Sequence, residues 1–143
     1  MSRLDAIFKE LRQSNSSGLM PFLTGGFPDL ETTEQTLLGM DEAGADIVEI
    51  GFPFSDPIAD GPVIASSMHQ ALMAGLRMES LFEVVRSVRD KTSIGIVAMV
   101  SESIIERMGD DIFVKQAAEA GFDGLIVPDM DISHTGRLAQ LAD

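Results

Sequence analysis

Four short apolar runs, each separated from the next by a stretch of helical periodicity, constrain this chain most. The runs are Leu19–Thr24, Asp46–Ile50, Ile94–Val100 and Gly124–Val127. Apolar residues in a short run flanked by turn formers read as buried strands. Between the runs, helices are predicted over Glu31–Ala43, Val63–Ala74, Ser80–Arg89, about Ile104–Ala120 with a break near Gly109, and Ser133–Ala142. Ahead of the first strand, Leu4, Ile7, Phe8 and Leu11 form one stripe of a further helix, with Ser2 and Asp5 placed as a capping box. Gly44, Gly75 and Gly121 stand where helices should stop. Strand and helix in strict alternation mean a parallel sheet with helices packed on it.

The bulk composition narrows the function. An apolar share of 45% in 143 residues is enough for one globular domain with a core. Lys and Arg number 10 against 23 Asp and Glu, a net charge of −13, which argues against nucleic acid or an anionic membrane as partner. A phosphorylated substrate stays open, because backbone amides bind phosphate locally. With no cysteine there is no disulfide, thiolate nucleophile or zinc–thiolate site. The opening MSRLDAIFKELRQ is no signal peptide, and no apolar run is long enough to span a membrane, so the cytoplasm is expected.

The chemistry concentrates between the second strand and the helix after it, in EIGFPFSDPIADGPVI, Glu49 to Ile64. In βα units the loop after the strand carries the active site. Glu49 lies near the end of an otherwise apolar strand and shares a face with Ile47. Apolar surroundings raise a carboxyl pKa and suit it to general acid/base work. A strand-end glutamate reaching water or pairing with a base is the plainer alternative. Asp60, before Gly61-Pro62, is placed as an ordinary helix N-cap, yet a carboxylate kept ionised there also suits a proton or N–H acceptor. Asp56 before Pro57 fits simple turn geometry, and Phe22 fits plain core. Asp129 after Pro128 falls at the active-site end of a barrel, where a turn role is equally open, and His69 and His134 are read as surface or packing residues.

The Glu49–Ile64 segment closely resembles the tryptophan synthase alpha-subunit family. Leu19–Asp29, LMPFLTGGFPD, and Ala117–Asp129, AAEAGFDGLIVPD, agree with it in order and spacing. The resemblance implies an α/β fold of the (β/α)8 TIM-barrel type. Such a barrel takes about 250 residues, so only about the first four β/α units are expected here, as a single domain over 1–143 with an extra N-terminal helix. It implies retro-aldol cleavage of indole-3-glycerol phosphate to indole and glyceraldehyde 3-phosphate. Glu49 and Asp60 match the catalytic pair, and Phe22 matches an aromatic of the indole pocket. Pro53, Asp56 and Pro57 match positions that face the beta subunit. No metal or organic cofactor is implied for this chain, pyridoxal phosphate belonging to the beta subunit.

Two features depart from the family. The third strand ends Met99-Val100-Ser101-Glu102-Ser103-Ile104 where a Tyr-x-Asn-Pro pattern is frequent, and Ala65 stands where Gln is usual. The family's phosphate-binding loops and mobile sixth loop have no counterpart in this length. Half a barrel would expose two sheet edges and an apolar inner face, so a fragment, a dimer or pairing with another half is expected. Two other readings are a non-catalytic module that docks on and modulates the beta subunit, and a different phosphate-binding barrel enzyme. The SDPIADGP loop disfavours the latter.

Overall fold

The computed structural model describes residues 2–57 and 60–142. Its framework is a four-stranded sheet in the order β1-β2-β3-β4, every pairing parallel. The strands are β1 (Phe22–Thr24), β2 (Ile47–Gly51), β3 (Gly95–Met99) and β4 (Gly124–Ile126). The helices are α1 (Arg3–Ser14), α2 (Leu30–Glu42), α3 (Pro62–Met73), α4 (Met78–Val88), α5 (Glu102–Met108), α6 (Asp110–Ala120) and α7 (Thr135–Ala142). The expected alternation is present throughout, with β1, β3 and β4 shorter than their apolar runs, β2 shifted by one residue, and the break at Gly109 separating α5 from α6.

Local chemistry explains the helix ends. Ser2 and Asp5 close the expected capping box on α1. Asp29, at the end of the Gly25–Asp29 turn, caps α2 by accepting from the Thr32 N–H at 2.7 Å. Thr33 then pins the β1–α2 turn: its hydroxyl accepts from Gly26 N–H and donates to the Asp29 carbonyl. Gly26 has φ +75°, and a Cβ there would meet Leu76 at 2.6 Å, so the turn requires glycine.

The two faces of the sheet have different partners. Val48, Ile50, Ile96 and Ala98 point to the helices and are fully buried with Leu37, Leu81, Val85 and Phe113. Phe52, Phe82, Phe113 and Phe122 meet near the strand ends with ring centroids 5.5 to 6.1 Å apart, in tilted and edge-on contacts. The opposite face carries Phe22, Thr24, Ile47, Glu49, Val97 and Met99. It is covered from two ends: α1 lays Leu4 and Ile7 against Gly95 and Gly124, and α3 places Met68 beside Gly51. The inner face is therefore less bare than expected, with Ile47 and Val97 buried. Among the described residues β1 and β4 are the sheet edges. Beside β1, Leu19 and Met20 are exposed.

The strand starts are tied together by one acid. Asp123 takes Arg3 at 2.7 Å on one oxygen, and Arg89 at 3.1 Å and the Ile96 N–H at 2.9 Å on the other. Arg89 also donates to the carbonyls of Gly121, Thr92 and Ile94. This network fixes α1, the turn after α4, β3 and β4 at the end remote from the Glu49 loop.

Candidate active site

The parallel register sets the site. Phe22, Glu49, Val97 and Gly124 share one level of the inner face, and Thr24, Gly51, Met99 and Ile126 the level nearer the strand ends. Glu49 is half-buried, and its carboxyl is pushed above the ordinary glutamate range. Burial is the main cause, and the negative charge of Asp60 adds to it. The structure thus brings Glu49 and Asp60 within electrostatic reach of each other.

Gly51 makes room for Phe22. A Cβ at position 51 would lie 2.5 Å from Phe22 Cζ, so the ring occupies the space a side chain would need. On the same level, the buried Thr24 hydroxyl meets Ser67 at 2.8 Å, while Ser67 donates to the Ile64 carbonyl, which clamps α3 over the strand ends. Met68 completes that cover.

Above this level lies a cavity of about 220 Å³. Its walls include Asp60, Met68, Met99, Val100, Ser101 and Asp129, with Phe52, Phe54, Asp56 and Pro57 on the loop side. Drug-sized ligands occupy pockets of roughly 300–1,000 Å³, so this one is small by comparison. The walls are mostly apolar, with the carboxylates of Asp56, Asp60 and Asp129 among them. Glu49 and Phe22 lie one level deeper on the strands and do not line the cavity itself.

The N-cap expectation for Asp60 is corrected. Gly61 occupies the N-cap of α3, with Pro62 at the first helical position and no side-chain cap. Asp60 stands one residue earlier, and its N–H bonds to the Pro57 carbonyl. Pro62 removes one free N–H from the helix start, and its fixed φ suits the first helical position. The Asp60 carboxylate lies on the cavity wall.

Of the loop positions, Pro53 is buried, Asp56 exposed and Pro57 half-buried. His69 is exposed, as expected, and so is His134, whose Nδ1 lies 2.9 Å from Glu102. No group of three or more acids or histidines able to hold a metal occurs among the described residues. Sequence reasoning left the role of Asp129 open and did not single out Ser101. The two residues are hydrogen-bonded at 2.7 Å on the cavity rim, a contact across 28 positions that no local pattern signals.

Residues 8–143 match the family model described as tryptophan synthase alpha chain. The chain belongs to the tryptophan synthase alpha chain family. It is 43% identical to the tryptophan synthase alpha chain of Clostridium kluyveri over 141 residues, and 42% identical to that of Synechococcus elongatus over 142. These alignments cover 99% of this chain and 54% and 53% of the relatives, so the chain spans about half their length. It superimposes on the tryptophan synthase alpha subunit of Legionella pneumophila with a TM-score of 0.95 at 33% identity, covering 99% of this chain and 55% of that one. A chain of the aminoacrylate-bound tryptophan synthase of M. tuberculosis gives 0.93 at 32%, covering 99% and 58%. The parallel sheet is thus a portion of the TIM barrel of that family.

Proposed function

We propose that this chain carries the acid/base part of the tryptophan synthase alpha reaction, cleavage of indole-3-glycerol phosphate to indole and glyceraldehyde 3-phosphate. The observation that carries the reading is Glu49: a half-buried carboxyl, raised in pKa, on the inner face below a cavity that bears Asp60. Protonated Glu49 delivers a proton to C3 of the indole ring. Asp60 accepts the indole N–H and stabilises the positive charge that develops there. The C3 bond to the glycerol side chain then breaks. Its electron pair returns to the ring, and the adjacent hydroxyl gives up its proton to the Glu49 carboxylate as the aldehyde forms. One proton is lent and one returned, so the carboxyl ends as it began.

In the same reading Phe22 packs along the deep end of the ring site. Asp56 and Pro57 form the surface toward a beta subunit, with the buried Pro53 supporting the loop from beneath, and the match to a chain of a tryptophan synthase supports such a partner. No cofactor is assigned to this chain, pyridoxal phosphate belonging to the partner. Residues 1–143 act as one unit, the first four β/α units of the barrel, and the cytoplasm is the proposed site of action. No described helix is long and apolar enough to cross a membrane.

The test is indole release from indole-3-glycerol phosphate by the purified chain with a beta subunit. Release that disappears in Glu49→Gln supports the proposal, and release unaffected by that change refutes it. The alternative is a non-catalytic module docked on the beta subunit. Beta-subunit binding with no indole release would select it.

A further inference from the structure

One wall of the cavity is built from the exits of two neighbouring strands. β3 leaves the sheet through Val100-Ser101 and β4 through Pro128-Asp129, and all four residues line the cavity that bears Asp60. The two exits run side by side, with Met99 paired to Ile126 and the Val100 N–H bonded to the Ile126 carbonyl at 3.0 Å. Past the sheet, one residue continues the tie. Asp129 accepts the Ser101 hydroxyl at 2.7 Å on Oδ2 and the Glu102 N–H at 2.9 Å on Oδ1. Ser101 is itself the N-cap of α5, accepting from the Ser103 N–H at 3.3 Å, and lies 2.8 Å from the Ser103 hydroxyl.

These contacts define what Asp129 can do. Burial would raise its pKa, but the bonds from Ser101 and Glu102 outweigh it and hold the carboxyl below the ordinary range. Each oxygen is already engaged as an acceptor. Asp129 is therefore an anchor rather than a proton donor. The anchored element is α5, a seven-residue helix too short to be stable alone and otherwise held by the buried Ile104 and Ile105. The second link across this gap, Glu102 to His134, involves a largely exposed histidine and is weak.

We propose that Asp129 is a positioning residue: through Ser101 and the Glu102 amide it fixes the Val100–Ser101 wall against the β4 exit and sets the width of the slot that takes the indole ring. The inference rests on the reading of this cavity as the indole site.

The test titrates free indole into the 143-residue chain and into Asp129→Ala, Ser101→Ala, the double variant and Ser101→Thr. Ser101→Ala loses one charge-assisted hydrogen bond and should weaken indole binding roughly tenfold, and Asp129→Ala, which also loses the Glu102 amide, should weaken it at least as much. The double variant should lose no more than Asp129→Ala alone, and Ser101→Thr, which keeps the hydroxyl, should bind nearly as the parent does. Unchanged affinity in Asp129→Ala, or additive losses, would overturn the proposal. If the parent chain binds no indole, the indole-site reading fails. The anchor is then decided by NMR, where the Glu102 amide should follow the titration of Asp129 and cease to do so in Asp129→Asn. An amide indifferent to that substitution would overturn the anchor as well.

Discussion

The ring of Phe22 occupies the space that a side chain at Gly51 would need, with 2.5 Å between the Phe22 Cζ and the position of a Cβ. The missing side chain is thus what lets an aromatic lie beside Glu49, its register partner on the neighbouring strand. Gly51→Ala should force Phe22 out of place. A loss of stability of about 1–3 kcal/mol is expected from overpacking, together with a lower affinity for indole. Denaturant unfolding and indole titration on the same sample check both.

Glu49 makes the pH dependence of stability predictable in sign. Its pKa is raised in the folded state, so the folded chain holds this proton more tightly than the unfolded chain. The contribution is fully present below the ordinary glutamate pKa and is lost as pH rises through the higher folded value. Glu49→Gln removes a group that is costly to ionise there. The variant should gain stability relative to the parent as pH rises through that window, and the gain should vanish at acid pH. Parallel thermal melts across the acid-to-neutral range measure it.

Asp123 gathers Arg3, Arg89 and the Ile96 amide at the far end of the sheet. Its side chain and that of Arg89 are only 10% and 13% exposed, so removing the acid strands a nearly buried cation. Asp123→Ala should cost about 3–5 kcal/mol. The effect should reach the site only through global unfolding, so the pKa of Glu49 in the folded fraction should not change. Urea midpoints and NMR of the folded signal separate the two.

Ser67 joins α3 to β1 through the Thr24 hydroxyl. Ser67→Ala leaves that buried hydroxyl without this partner and should cost about 1–3 kcal/mol. Thr24→Val with Ser67→Ala removes both polar groups and should recover part of the loss. A double-mutant cycle by chemical denaturation tests the coupling.

The frame was legible because its signals are local. The Ser2–Asp5 capping box, the glycines after α2, α3 and α6, and the period of each apolar run all act within a few residues. Glu49 was legible for a similar reason, since an acid inside an apolar strand stands out without knowing its neighbours. Asp60 shows where local reasoning misleads. An aspartate before Gly-Pro fits an N-cap by pattern, yet Gly61 takes that place and Asp60 faces the cavity. Asp129 and Asp123 could not be assigned at all, because their partners Ser101 and Arg89 lie 28 and 34 positions away and meet them only once the strands are aligned. The expected bare inner face was likewise an overstatement, since the pattern did not show that α1 and α3 fold over it.

The central claim is that Glu49 is a carboxyl poised by burial and by the charge of Asp60. An isotope-edited NMR titration of the Glu49 side chain in the intact chain and in Asp60→Asn tests it most directly. The account predicts a Glu49 pKa above the ordinary glutamate range that falls, without becoming ordinary, when Asp60 loses its charge. A Glu49 that titrates as an exposed glutamate, or that ignores Asp60→Asn, would contradict it.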